Sequence, residues 1–136
     1  MKHSLALLAL AGIVGCAGPP PPPGASQAVT GEWGGSHIGM VLTRDGGRIE
    51  YDCAIGSIDG SVLTDAAGRF AATGRHTPAQ GGPHRIGHVP PSWPARYTGN
   101  VGGDTMTLRV EVPDLAITIG PTRLRRGAPA ILTRCL

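Results

Sequence analysis

Thr105-Met106-Thr107-Leu108-Arg109-Val110-Glu111-Val112 alternates polar and apolar side chains without a break. Successive side chains of a strand point to opposite faces, so Met106, Leu108, Val110 and Val112 are predicted to face a core and the odd positions water. The same period recurs in Arg48-Ile49-Glu50-Tyr51-Asp52-Cys53, with Ile49, Tyr51 and Cys53 inward, and in Ile38, Met40 and Leu42 just before it. Beyond the N-terminal apolar run, no stretch sustains apolar spacing at a helical period. The chain is therefore committed to strands.

Glycine-rich turns punctuate the pattern. Asp45-Gly46-Gly47 joins two strands as a tight hairpin, and further turns fall at Asp59-Gly60, Asp65-Ala66-Ala67-Gly68 and Gly102-Gly103-Asp104. Further strands are expected over residues 69–76, 94–101, 115–119, 122–125 and 131–135. Short strands separated by turns imply an all-β fold, a small antiparallel meander of seven or eight strands. Closing into a barrel solves its edge problem, with a two-sheet sandwich as the alternative. Gly74 and Gly99 are placed to let strands bend or backbones approach. Gly31-Glu32-Trp33, at the opening of the first strand, resembles the start of lipocalin-like and avidin-like barrels. That resemblance implies that Trp33 plugs one end, and a large ring stabilises most when buried.

The N-terminus reads as an address. Met1-Lys2-His3 is a short basic start, and Leu5 to Val14 is an uncharged apolar core, the length of a signal-peptide segment. A bilayer span needs about 20 residues. Ile13-Val14-Gly15-Cys16 resembles the lipobox of bacterial lipoproteins. The resemblance implies cleavage before Cys16, a diacylglyceryl group on its sulfur and usually a further N-acyl chain. Ala17 in place of an aspartate points by the same analogy to the outer membrane, facing the periplasm. Pro19 to Pro23 then form a run of five prolines flanked by Gly18 and Gly24. Such a run favours extended polyproline helix at roughly 3.1 Å per residue, a spacer beside the anchor. The division expected is residues 1–15 as signal peptide, 16–29 as lipidated cysteine and proline-rich spacer, and 30–136 as the β-barrel domain.

With Cys16 given to lipid, Cys53 and Cys135 remain as a pair in an oxidising compartment and are expected to form a disulfide. Without Lys2 the formal charge falls from +3 to +2. Arg44, Arg69, Arg96 and Arg109 are scattered and only Arg123-Arg125-Arg126 cluster, which excludes a nucleic-acid surface.

Residues 77–93 break the regular pattern. They contain Gly81-Gly82-Pro83-His84-Arg85 and Pro90-Pro91-Ser92-Trp93, and long ordered loops in small domains commonly carry function. The candidate binding rim is His76, His84, Arg85, His88 and Trp93. The spacing of His84 and His88 suits a metal pair on a helix, but Gly87 between them and Pro83 and Pro90 outside argue against that helix. A third ligand, His76 or His37, would also be required. No metal or cofactor is assigned. No catalytic residue is assigned either: the chain has no G-x-S-x-G elbow, no H-E-x-x-H and no P-loop. Ser36-His37 alternates along a strand, which would turn the two side chains to opposite faces.

Tyr51-Asp52-Cys53-Ala54-Ile55-Gly56 with the late Cys135 resembles the layout of membrane-bound lysozyme inhibitors, small barrel lipoproteins with a Y-x-C strand. The chain lacks that family's lysine-containing inhibitory segment and is not acidic. Trp33-Gly34-Gly35-Ser36-His37-Ile38, Asp52-Cys53-Ala54, Gly81-Gly82-Pro83, Pro94-Ala95-Arg96-Tyr97 and Thr105-Met106-Thr107-Leu108 resemble a group of small exported bacterial proteins to which no activity attaches. The expectation is a lipid-anchored, non-catalytic binding module of the cell envelope. Its partners would be the membrane, through the anchor, and either an envelope protein or a small ligand. The alternatives are an inhibitor of an envelope-directed hydrolase such as lysozyme, and a histidine-based metal-binding protein.

Overall fold

The computed structural model describes residues 26–135, together with Gly15 and Gly18; Cys16 and the signal and spacer readings around it lie outside these. The strands are β1 (Gln27–Ala28), β2 (Gly31–Gly35), β3 (Ile38–Leu42), β4 (Gly46–Tyr51), β5 (Ala54–Asp59), β6 (Leu63–Thr64), β7 (Arg69–Pro78), β8 (Trp93–Gly102), β9 (Thr105–Val112) and β10 (Ile117–Arg126). Eight of them close into an antiparallel barrel in the order β10-β2-β3-β4-β5-β7-β8-β9. This is the meander expected, each barrel strand pairing with the next along the chain. Closure removes both sheet edges. The closing seam is short, Arg125 opposite Gly34 and Arg126 opposite Trp33.

The alternation in β9 holds throughout: Met106, Leu108, Val110 and Val112 are all buried. Ile38, Met40 and Leu42 from β3, with Ile49 and Tyr51 from β4, fill the facing side. Gly74 and Gly99 are sites of close backbone approach. An added Cβ would lie 1.9 Å from the Ser57 carbonyl oxygen and 2.0 Å from that of Thr107. Trp33 is 1% exposed.

β1 and β6 form a separate two-stranded ribbon. Val29 and Val62, just outside these strands, are buried and joined by a backbone bond, Val29 N–H to Val62 O at 2.9 Å. The ribbon and the turns at residues 43–45 and 103–104 lie at one end of the barrel. The β2–β3 and β4–β5 turns, residues 79–92 and a 3-10 turn at Pro113–Leu115 lie at the other. The up-and-down topology requires this division, because successive connections alternate between ends. The chain enters at the ribbon end.

Four local expectations are corrected. Residues 131–135 are not a strand: beyond Gly127 the tail crosses the outer face of β2 and β3, with one parallel bridge between Ile131 and Ser36. It fits because Gly34 and Gly39 have no side chains; a Cβ on Gly39 would sit 2.5 Å from that of Ala130. Residues 115–119 and 122–125 belong to one strand, β10, with a register shift between Ile119 and Thr122. That strand starts only at Ile117, since the 3-10 turn and Ala116 at φ 51° precede it. Cys53 is exposed, because β4 ends at Tyr51 and Asp52-Cys53 form a turn in which strand alternation no longer applies. Ser36-His37 are likewise a connection between β2 and β3, with His37 at φ 68°.

Candidate functional site

The loop end is tied together by the tail. Cys53 and Cys135 form the expected disulfide, with Cα atoms 5.5 Å apart across 82 residues of chain. The His37 backbone N–H donates to Ile131 O at 2.8 Å, and Ile131 N–H donates to Gly35 O at 3.0 Å. Asp52 links turn and tail: one carboxylate oxygen accepts from the Thr133 backbone N–H at 2.7 Å, the other meets His37 Nδ1 at 2.6 Å. The Thr133 N–H is the main reason the Asp52 carboxyl sits below its ordinary range; partial desolvation opposes it and His37 adds to it. Ala79 N–H donates to Cys53 O at 2.8 Å, so residues 79–92 start from the same stapled turn.

The five rim candidates divide into two groups. His76 and Trp93 are register partners on β7 and β8 and face inward, His76 buried and Trp93 half-buried against the core. His84, Arg85 and His88 are exposed in residues 79–92. There the His84 and His88 rings stack, with centroids 5.3 Å apart and planes 5° from parallel. No helix is needed, because a turn closed by His88 N–H to Arg85 O at 3.0 Å brings them together. Gln80 holds both: its backbone oxygen lies 3.1 Å from His84 Nε2, and its Oε1 2.6 Å from His88 Nε2. At the far end of the segment Arg75 donates to Ser92, Nε to Oγ at 2.6 Å and Nη2 to the carbonyl at 2.5 Å.

Between the stapled turn and this segment lies an open groove of 360 Å³, lined by Asp52, Ile55, Pro78, Gln80, His84 and His88 among others. Its lining is mostly apolar. Behind it the barrel interior is occupied. Ile49, Tyr97, Met106, Leu108, Val110 and Leu124 are each at most 1% exposed, so no water-sized void opens beside them. The polar groups inside are Tyr51, Tyr97 and His76. Tyr97 donates its hydroxyl to Arg75 O at 3.0 Å, while among the described residues the Tyr51 hydroxyl and His76 Nδ1 meet no hydrogen-bond partner. Burial raises both phenols, with Tyr97 adding to the shift at Tyr51, and lowers His76.

Comparison with protein-family models, with curated proteins and with solved structures returns no match.

Sequence reasoning misses Asp52 and Gln80 as site residues, and it brings in His37 only as a third metal ligand or as the neighbour of Ser36, not as the partner of Asp52. His37 and Asp52 are separated by 15 positions, with no spacing motif between them. Gln80 acts through a non-helical turn that no periodicity encodes. Among the described residues, no group of three or more His, Cys, Asp or Glu side chains is placed to hold a metal.

Proposed function

We propose that this chain is a non-catalytic binding module of the cell envelope, tethered through lipid on Cys16 and presenting its loop end to an envelope protein. The observation that carries this reading is the exposure of Ile86 and Val89, 107% and 83%, at the end of the barrel opposite the chain entry. Apolar side chains held fully in water mark contact surfaces when they cluster on an ordered segment. A tether at the ribbon end directs that segment away from the membrane. The occupied interior favours a protein partner over a small molecule inside the barrel.

Site-specific photo-crosslinking in cells tests it. A crosslinker at Ile86 or Val89 is expected to give a discrete protein adduct, and one at Ala66 on the ribbon end none. Equal labelling at both ends, or no adduct at either loop position, refutes the reading. Mass spectrometry of the natural product tests the anchor: an unmodified Cys16 removes it.

The second reading, an inhibitor of an envelope-directed hydrolase, is favoured by the same protruding segment, which carries Arg85 next to Ile86 and no acidic residue. A long, anchored loop of this kind suits insertion into an acidic cleft. Lysozyme assays with a large excess of the protein decide that candidate, and undiminished activity retires it.

A further inference from the structure

We infer that a diagonal row of arginines on the outer wall of β7–β10 is a docking surface for an extended, carboxylate-bearing polysaccharide. Arg75, Arg96 and Arg109 are scattered in the sequence, and strand register sets them in line with Arg123 and Arg125. Arg123 lies opposite Thr107 and so diagonal to Arg109. Arg109 lies opposite Thr98 and diagonal to Arg96, and Arg96 lies opposite Thr73 and diagonal to Arg75. Diagonal neighbours on one face stand about 7–8 Å apart, and Arg125 follows Arg123 at about 7 Å along β10. All of these arginines are exposed. The row crosses the wall obliquely, from Arg125 near the ribbon end to Arg75 near the loop end.

Arg96, Arg123 and Arg125 form no ion pair among the described residues, whereas Arg109 meets Glu111 at 3.3 Å. Asp59 lines the same shallow depression as Arg96 and Thr73. A guanidinium without a partner presents a planar fork that matches a carboxylate. Thr73, Thr98, Asn100 and Thr107 occupy outward positions between the arginines and offer hydroxyl and amide groups to sugar hydroxyls. Other occupants lack their anchors here. The chain's aromatic side chains lie inside, Trp33, Tyr51, Phe70 and Tyr97 buried and Trp93 half-buried. The wall therefore has no ring on which a nucleic-acid base or a neutral sugar could stack. Of the large exposed apolar side chains, Ile55, Ile86 and Val89 among them, none lies on β7–β10. Nothing on this wall would insert into lipid or centre a protein interface. What remains is charge and hydroxyl groups along a line, which suits a linear acidic polymer. The row is separate from the loop end, so the inference stands independently of the protein-partner reading above.

Binding of the untagged full chain to immobilised sodium alginate, read by biolayer interferometry beside a neutral dextran surface, tests it. Alginate should be bound and dextran not, with affinity falling as NaCl is raised. The Arg96→Gln, Arg109→Gln, Arg123→Gln triple variant should lose roughly tenfold or more in affinity. Arg44→Gln, Arg48→Gln, Arg134→Gln removes the same charge elsewhere and should stay near the parent. Glu111→Gln, which takes away the acid within the row, should bind more tightly. Circular dichroism and the melting temperature should match the parent in all of these variants, since the side chains point to solvent. Absence of alginate binding overturns the inference, as does equal binding to dextran. Equal losses in the two triple variants reduce the effect to net charge and overturn the row. Tighter binding to single-stranded DNA or to anionic phospholipid vesicles than to alginate overturns the polysaccharide as occupant.

Discussion

Arg126 and Trp33 converge on one carbonyl. Arg126 Nη1 donates to Thr30 O at 2.7 Å and Trp33 Nε1 donates to the same oxygen at 3.3 Å. The guanidinium carbon stands 4.3 Å from the centre of the indole ring. This stack joins the last barrel strand to the first where Arg126 and Trp33 are register partners, across a seam of only two residue pairs. A cation over an indole face gains electrostatically, and the charged bond to Thr30 adds to it.

Arg126→Ala should therefore lower stability by about 1–2 kcal/mol, read from urea unfolding. Arg126→Lys should recover only part of that, because an ammonium cannot stack as a planar guanidinium does. Trp33→Ala should cost more, about 3–5 kcal/mol, through the cavity it leaves. If Arg126→Ala matches the parent, the stack contributes nothing to closure.

Cys53 and Cys135 constrain 82 residues of chain. Chain entropy gives such a bridge about 4 kcal/mol, so the Cys53→Ser, Cys135→Ser double variant should unfold at distinctly lower denaturant. Hydrogen exchange should also rise at Ile131 and Thr133, whose N–H groups bond to Gly35 and Asp52. Unchanged exchange there would mean that the backbone bonds hold the tail without the staple.

Asp52 predicts an acid limb. A carboxyl lowered in the folded state from 3.8 contributes stability that is complete above that value and is lost as pH falls through the lower folded one. Asp52→Asn should flatten stability between pH 4 and the acid extreme, with its loss greatest near neutrality. A parallel pair of pH–stability curves for parent and variant would refute the linkage.

His76 predicts a second limb at milder pH. Its folded value lies below 6.5 because burial disfavours the charged ring. Below pH 6.5 the unfolded chain takes the proton before the folded one, so stability declines as pH falls from 6.5 towards the folded value. His76→Leu should abolish that decline, measured as urea midpoints at pH 7.5 and 5.5. A drop of the same size in the variant would assign it to other groups.

Much of this fold was legible in the residues themselves. Period-two alternation in Thr105–Val112 and in the strands around Ile38 and Ile49 announced which side chains go inward, because a pleated strand has no other way to place them. Turn glycines marked the β3–β4 and β8–β9 hairpins and the end of β5, and cysteine parity named the bridge between Cys53 and Cys135. Tertiary structure decided the rest. The tail over Gly34 and Gly39, the His37–Asp52 pair and the Arg126–Trp33 stack join positions far apart in the chain. Local sequence period carries no record of such partners, since they meet only once the barrel has closed. The same holds for His84 and His88. Their spacing suggested a pair only on a helix, and it was a turn clamped by Gln80 that brought the rings together.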